Sequence, residues 1–146
     1  MEAKALVEPL AVGWHAVKVS PFKKGDAVLI IGGGPIGLAV IQALAAKEAR
    51  KIIVSEMSPK RKEFAKHFGA TDVIDPSKED VVARVREICG NVGVEIVFDC
   101  AGVQAALDTA VLSLRPRGTL VNIAVWEKPA HIYPSHFLFR SFPELL

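Results

Sequence analysis

The sequence predicts a doubly wound α/β domain, in which helices cover both faces of a parallel sheet. Three observations support this fold class: five short apolar runs alternate with segments of helical length, a glycine-rich turn follows the first run, and the composition is that of a globular domain, with 51% apolar and 23% charged residues. Strands separated by helices are joined by crossovers and lie parallel. We expect strand order 3-2-1-4-5, with the sixth strand of a full sheet missing.

The first two strands and their helices follow from local patterns. Residues 27–31 are a continuous apolar run, as expected for a strand buried on both faces. Pro35 begins the next helix, where its missing N–H group is not needed. Residues 51–56 are β-branched and bounded by charge, which predicts a central strand. Ser58 is then the expected N-cap of a helix that ends at Gly69.

The remaining elements complete the alternation. A helical pattern over 3–19, interrupted by Pro9 and Gly13, precedes the first strand. Ser77 is the expected N-cap of the helix that follows the third strand. The other predicted elements are strands over 71–74, 94–98 and 119–125, a helix over 104–114 and a turn over 115–118.

The turn from Gly32 to Gly37 joins the first strand to its helix. In this spacing Gly32 permits a tight turn, Gly34 lets the backbone approach a phosphate, and Gly37 lets the helix pack on the strand. The helix N-terminus adds unpaired N–H groups and a favourable dipole. We therefore predict that this turn, including Pro35 and Ile36, binds the pyrophosphate of a dinucleotide.

Glu56 ends the second strand, 19 positions after Gly37. A carboxylate at that place suits hydrogen bonding to the adenosine ribose and repels the extra phosphate of NADP, so NAD is the expected cofactor. The alternative cofactor is NADP. It is favoured by Ser55, Lys60 and Arg61, because a hydroxyl and nearby cations can bind its 2′-phosphate. Arg61 either stacks near the adenine or is a solvated helix residue.

The fourth strand ends at Asp99 and is followed by Cys100, Ala101 and Gly102. By the predicted topology these residues face the same cleft as the glycine turn. Small residues there leave room for a cofactor ribose, and Gly102 allows an unusual backbone conformation; the alternative is a role in packing alone. Asp99 has no His or Ser at an interpretable spacing, which favours a structural role.

Charge and residue distribution exclude other classes of function. The net charge of +2, with scattered basic residues, does not favour binding to nucleic acid. No run approaches the length of a membrane span, and the N-terminus lacks a basic segment followed by an apolar one, so we expect a cytoplasmic protein without membrane association. The two cysteines, Cys89 and Cys100, form neither a disulfide framework nor a zinc cluster.

Five phrases of the sequence identify a family. They are Glu-Pro-Leu-Ala-Val-Gly-Trp-His-Ala-Val at 8–17, Gly-Gly-Gly-Pro-Ile-Gly at 32–37, Phe-Gly-Ala at 68–70, Phe-Asp-Cys-Ala-Gly at 98–102, and Gly-Thr-Leu-Val-Asn-Ile-Ala-Val-Trp-Glu-Lys-Pro at 118–129. The chain resembles the coenzyme-binding half of the medium-chain, zinc-dependent alcohol and polyol dehydrogenases, and within them most closely the butanediol (acetoin) dehydrogenases. The last six residues depart from the family pattern.

The resemblance implies a two-domain enzyme in which a Rossmann domain holds the nicotinamide cofactor and a second domain supplies zinc and the substrate pocket. We expect residues 1–24 to be a leading helix and linker from an absent catalytic domain, residues 25–126 to be the Rossmann domain, and residues 127–146 to be a truncated C-terminal segment. We expect the 146 residues alone to bind dinucleotide weakly and to catalyse nothing.

The resemblance also assigns roles to residues for which spacing alone predicts none. The backbone of Ile123, Ala124 and Val125 would lie near the nicotinamide carboxamide, the alternative being a plain core strand. Glu8 matches a glutamate that sits at the zinc, as ligand or as partner of its water. Glu8 cannot hold zinc alone, because catalytic zinc sites need about three protein ligands.

The implied activity is hydride transfer between NAD and a secondary alcohol or vicinal diol, of the 2,3-butanediol and acetoin type, in a homo-oligomer. A sorbitol- or threonine-type dehydrogenase is the alternative within the family. Outside it, a non-catalytic nucleotide-sensing module is the alternative, because fold does not determine function.

Overall fold

A computed structural model describes residues 2–141 of the chain, so five of the last six residues, which we expect to depart from the family pattern, lie outside the described residues. The elements in chain order are α1 (Glu2–Val19), β1 (Ala27–Ile31), α2 (Pro35–Ala46), β2 (Lys51–Ser55), α3 (Pro59–His67), β3 (Asp72–Ile74), α4 (Val81–Ile88), β4 (Val94–Asp99), α5 (Gln104–Ser113), β5 (Leu114–Asn122) and α6 (Pro134–Ser141).

The five described strands form one parallel sheet in the order β3-β2-β1-β4-β5. The predicted fold class and strand order are therefore confirmed. Side chains alternate across β1, so Val28 and Ile30 join the apolar cluster on one face, while Ala27, Leu29 and Ile31 join the cluster on the other. Burial on both faces explains why β1 is a continuous apolar run.

Helix α1 packs against α2 and is continuous through Pro9 and Gly13, the two residues expected to interrupt it. Gly13 lies at the crossing point: a methyl group on it would come 2.7 Å from Cβ of Ala39. Ala16 and Val17 are buried one turn further along α1. The small residues of α2 thus allow the two helices to approach closely.

The N-cap of α4 differs from the prediction. The side chain of Asp80, not of Ser77, accepts a hydrogen bond from a first-turn N–H group, that of Ala83, at 3.0 Å. The Ser77 hydroxyl donates instead to Oδ1 of Asp75 at 2.6 Å, and the Ser77 N–H donates to the same oxygen. The serine belongs to a turn before the helix because a closer carboxylate competes for it.

Strand β5 is displaced toward the N-terminus relative to the predicted 119–125. Leu114 already pairs with Val94, and Thr119 pairs with Ile96, so residues 115–118 form an irregularity within the strand instead of a turn before it. The strand ends at Asn122, which places residues 123–125 in the loop that follows.

Among residues 2–141, no helix has both the length and the apolar character needed to cross a membrane.

Candidate dinucleotide-binding site

The glycine turn lies at the carboxyl end of β1, between strands β2 and β4. Gly32 has a φ of +100°, which L side chains rarely adopt, and its N–H donates to the carbonyl of Ser55 at 3.0 Å. A methyl group on Gly37 would lie 2.0 Å from the carbonyl oxygen of Gly32, so α2 approaches the strand as closely as only glycine permits. The predicted packing reason for Gly37 is confirmed.

Gly34 differs from these two glycines because a methyl group on it would meet no atom within 4 Å. Nothing among the described residues fills the space beside it, although Gly34 is the N-cap of α2 and offers no side-chain cap. Pro35 is exposed and Ile36 is half-buried. The first turn of α2 therefore presents unoccupied backbone donors to an open surface, the arrangement that accepts a phosphate.

Glu56 is folded against the glycine turn, with only 8% of the residue exposed. Its Oε2 accepts a hydrogen bond from the N–H of Gly33 at 2.7 Å, and its Oε1 accepts one from the N–H of Ser58 at 2.8 Å. Sequence reasoning placed Glu56 at this edge of the sheet but missed Gly33 as its partner. The spacing of a strand-end acid from a glycine turn indicates that the two lie at the same edge of the sheet, but it does not identify Gly33 as the donor.

Arg61 is the nearest cation to this carboxylate. Its Nη1 lies 4.0 Å from Oε2 of Glu56, and about half of its side chain is exposed. Ser58 caps α3 as predicted, accepting from the N–H of Arg61 at 3.5 Å. Lys60 lies over the ring of Phe64. Arg61 is thus available beside the site, and both of its predicted roles stay open.

The loop after β4 faces the glycine turn. A methyl group on Gly32 would lie 3.4 Å from the carbonyl group of Cys100, and the Cys100 N–H donates to the carbonyl of Ile31. The structure therefore brings together two segments that the sequence predicted to share a cleft. Burial, aided by the neighbouring Asp99 carboxylate, raises the pKa of the Cys100 thiol to about 12, so the thiol stays protonated at neutral pH.

The loop after β5 packs on the loop after β4. Gly102 has a φ of +68°, and a methyl group on it would lie 2.9 Å from both Cβ of Ala124 and the carbonyl oxygen of Val125. Ile123 and Ala124 are half-buried, and Val125 is 90% exposed beside the cleft. The structure thus places residues 123–125 next to residues 100–102, in a loop and not in the core strand that was the alternative.

Glu8 lies on α1, where it is exposed. Within residues 2–141, no group of three or more His, Cys, Asp or Glu side chains could hold a metal ion. The described residues therefore form no zinc site, and a metal role for Glu8 stays a prediction.

Comparisons with known proteins agree with this architecture. The family profile described as zinc-binding dehydrogenase matches residues 35–142. The (R,R)-butanediol dehydrogenase of Saccharomyces cerevisiae is 43% identical over 92% of this chain and 36% of its own length. The chain thus spans little more than a third of that relative.

Solved structures give the same result. The crystal structure of 2R,3R-butanediol dehydrogenase from Bacillus subtilis superimposes with a TM-score of 0.88 at 43% identity, covering 93% of this chain and 39% of the other. A zinc-binding dehydrogenase from Sinorhizobium meliloti, bound to NADP, superimposes with a TM-score of 0.84 at 34% identity, covering 90% and 40%. The resemblance based on the five sequence phrases is confirmed, and the chain belongs to the zinc-binding dehydrogenase family.

Proposed function

We propose that this chain binds NAD along the carboxyl edge of its sheet, as the cofactor-binding part of an alcohol or diol dehydrogenase. The observation that carries the proposal is the shape of the glycine turn. Gly37 packs against the carbonyl of Gly32 while the space beside Gly34 is open. This combination holds the N-terminus of α2 close to the turn and leaves room for a pyrophosphate beside that N-terminus.

Glu56 supports the adenosine side of the proposal. Its two oxygens each accept one backbone N–H, and a carboxylate oxygen can accept a further hydrogen bond. The carboxylate is therefore held in place before any ligand arrives and can receive the ribose hydroxyls without reorganisation. Its negative charge disfavours a phosphate at the 2′ position, with Arg61 close enough to weaken that effect.

The second nucleoside of the dinucleotide then lies over β4 and β5, because the pyrophosphate sits at the turn between the two halves of the sheet. Residues 100–102 and 123–125 line that side. They supply small side chains, backbone groups and the exposed apolar surface of Val125, which suit a flat nicotinamide ring. Cys100 contributes bulk and not a nucleophile, because its thiol is protonated.

When bound, the nicotinamide supplies the hydride acceptor of the reaction. This chain positions it, by holding the pyrophosphate at residues 32–37 and the adenosine ribose at Glu56. For the whole protein we propose oxidation of a vicinal diol such as 2,3-butanediol, in line with the names of the relatives, in a cytoplasmic homo-oligomer. Within residues 2–141, β5 pairs on one side only, which supports association through that edge.

We propose zinc as a cofactor of the whole protein. None of the roles assigned to residues 2–141 requires a bound zinc ion. We propose that Glu8 approaches a zinc ion whose remaining ligands come from a catalytic domain, because the family is one of zinc-binding dehydrogenases. The exposure of Glu8 on α1 leaves it accessible for such a contact.

NADP is the second candidate cofactor, since the Sinorhizobium meliloti relative is bound to it. Isothermal titration of the chain with NADH and NADPH distinguishes the two. We expect NADH to bind more tightly, and Glu56→Gln to narrow the difference between the two dissociation constants. Glu63→Gln, which removes an exposed charge from α3, is the matched control and should leave the ratio unchanged.

Each outcome of this titration decides a part of the proposal. Tighter binding of NADPH to the wild-type chain would overturn the role of Glu56. Binding of neither dinucleotide would overturn the proposed function itself.

A further inference from the structure

We propose that Asp99 is the positioning residue for the nicotinamide half of the site: one residue holds both loops that line it. This inference rests on the proposed function. Asp99 is the last residue of β4 and is 1% exposed, so it contacts no ligand from the surface of the cleft. Its effect on the cofactor would pass through the two loops.

The side chain of Asp99 organises the first loop. Its Oδ1 accepts hydrogen bonds from the N–H groups of Ala101 at 2.9 Å and Gly102 at 3.1 Å. Two donors on one oxygen turn the chain back sharply after β4, and this turn sets the left-handed conformation of Gly102. The direction of the loop therefore depends on this carboxylate.

The main chain of Asp99 organises the second loop. Its carbonyl oxygen accepts from the N–H of Ile123 at 2.9 Å and from the N–H of Ala124 at 3.1 Å. Both donors come directly after β5, so the bonds end the regular ladder and bend the following residues over β4. Four backbone N–H groups from two separate loops thus converge on one residue.

The two loops also touch each other. Gly102 fits under Ala124 and Val125 with no room for a side chain, as the 2.9 Å approaches of an added methyl group show. A shift of the loop after β4 must therefore displace the loop after β5. This contact makes the pair of loops respond as one unit to a change at Asp99.

In the part of the chain that the structure describes, only one of the two carboxylate oxygens of Asp99 is hydrogen-bonded. Oδ2 of Asp99 is buried and has no hydrogen-bond partner among the described residues. An unpaired buried carboxylate oxygen opposes folding. What the side chain adds is the geometry that Oδ1 imposes on the loop after β4, which is a reason to assign Asp99 a role in the site.

Asp99 is placed to act on one half of the dinucleotide only. It pairs in the sheet with Ile31 and Asn122, on the side of the glycine turn away from β2. Glu56, which we assign to the adenosine ribose, lies on the β2 side. A change at Asp99 should therefore alter contacts with the nicotinamide nucleoside and spare those with adenosine and pyrophosphate.

The test compares two probes by isothermal titration calorimetry of the 146-residue chain. NADH engages both halves of the site, whereas ADP carries the adenosine and pyrophosphate but no nicotinamide nucleoside. We expect Asp99→Ala, which removes the acceptor of the Ala101 and Gly102 N–H groups, to weaken NADH at least about tenfold while ADP changes less than about twofold. Asp99→Asn keeps an oxygen at the position of Oδ1 and should bind NADH more nearly as wild type does. Gly102→Ala, which separates the loops without altering a buried charge, should show the same selectivity as Asp99→Ala.

Asp72→Ala is the control for destabilisation in general. Asp72 begins β3 at the opposite end of the sheet and bonds Lys51 and Thr71, so its loss should not discriminate between the probes. Equal weakening of NADH and ADP by Asp99→Ala, or no change in either, would reduce Asp99 to a structural residue. If the wild-type chain bound NADH no more tightly than ADP, the inference would also fail.

The same titrations distinguish failure of this inference from failure of the proposed function. Wild-type chain that binds neither probe refutes the proposed function, and this inference with it. Wild-type chain that binds NADH more tightly than ADP, combined with an unselective Asp99→Ala variant, refutes only the inference.

Discussion

The carboxylate of Glu56 accepts a hydrogen bond of 2.7 Å from the backbone N–H of Gly33, across 23 residues of sequence. The residue that follows β2 is thereby attached to the turn that follows β1. A methyl group on Gly33 would lie 3.1 Å from the same carboxylate oxygen, so a side chain at position 33 would crowd the carboxylate. The pyrophosphate turn and the proposed ribose acceptor form one unit before a cofactor binds.

Two glycines of the turn should respond differently to the same substitution. Gly37→Ala places a methyl group 2.0 Å from the Gly32 carbonyl and must displace α2 or the turn, so we expect a loss of about 1–3 kcal/mol in unfolding free energy as well as weaker NADH binding. Gly34→Ala meets open space and should keep its stability while losing affinity. Urea unfolding and NADH titration of both variants check this. Equal loss of stability in the two variants would contradict it.

The crossing of α1 and α2 should be sensitive to one added methyl group. Gly13→Ala would bring that group 2.7 Å from Cβ of Ala39 and 2.9 Å from backbone atoms of α2, which cannot yield by a rotamer change. We expect a destabilisation of about 1–3 kcal/mol in urea unfolding, despite the higher helix propensity of alanine. Lys18→Ala, on the exposed part of α1, is the control and should change stability little. A Gly13→Ala variant as stable as wild type would show that the helices can separate.

Asp75 should make part of the stability dependent on acid pH. Lys62, whose Nζ lies 2.6 Å from Oδ2, and Ser77 hold the pKa of the Asp75 carboxyl well below its ordinary value of 3.8. As the pH falls below about 4, the unfolded chain takes up a proton before the folded chain does, so this contribution is present above that pH and is lost below it.

Lys62→Met tests this coupling. The variant should be less stable than wild type at pH 7, and the difference should shrink as the pH falls from about 5 toward 2. Lys66→Met, at an exposed position of the same helix, is the control. A difference between wild type and Lys62→Met that stays constant over this range would show that the ion pair does not set the pKa of Asp75.

The two cysteines should differ in reactivity. Burial raises the pKa of both thiols, to about 12 for Cys100, where the Asp99 carboxylate adds to the effect. Only the thiolate reacts readily with alkylating reagents. We therefore expect iodoacetamide at pH 8 to modify Cys89 before Cys100, as mapped by peptide mass spectrometry, and faster modification of Cys100 would contradict the buried position assigned to it.

Local patterns account for the parts of the fold that were predicted correctly. The strand over 27–31, the N-cap Ser58 and the close packing of Gly37 depend on neighbours within a few positions or on the shape of the residue itself. At Ser77 the local pattern gave the wrong prediction. This serine has the residue type of an N-cap and a suitable position, but the Asp75 carboxylate takes its hydroxyl and Asp80 caps the helix instead.

The sequence by itself determined the alternation of strands and helices and the glycine turn, because apolar runs, capping residues and glycines act through local conformation and burial. The order of the strands followed from the topology that such an alternation adopts in doubly wound folds. Only the tertiary structure decided that Glu56 is bonded to Gly33, that β5 ends at Asn122, and that two loops converge on Asp99. The decisive hydrogen bonds join groups far apart in the chain: the Glu56 carboxylate with the N–H of Gly33, and the Asp99 carbonyl with the N–H groups of Ile123 and Ala124. They depend on which donors and acceptors the folded sheet brings within about 3 Å, a distance that no pattern along the sequence encodes.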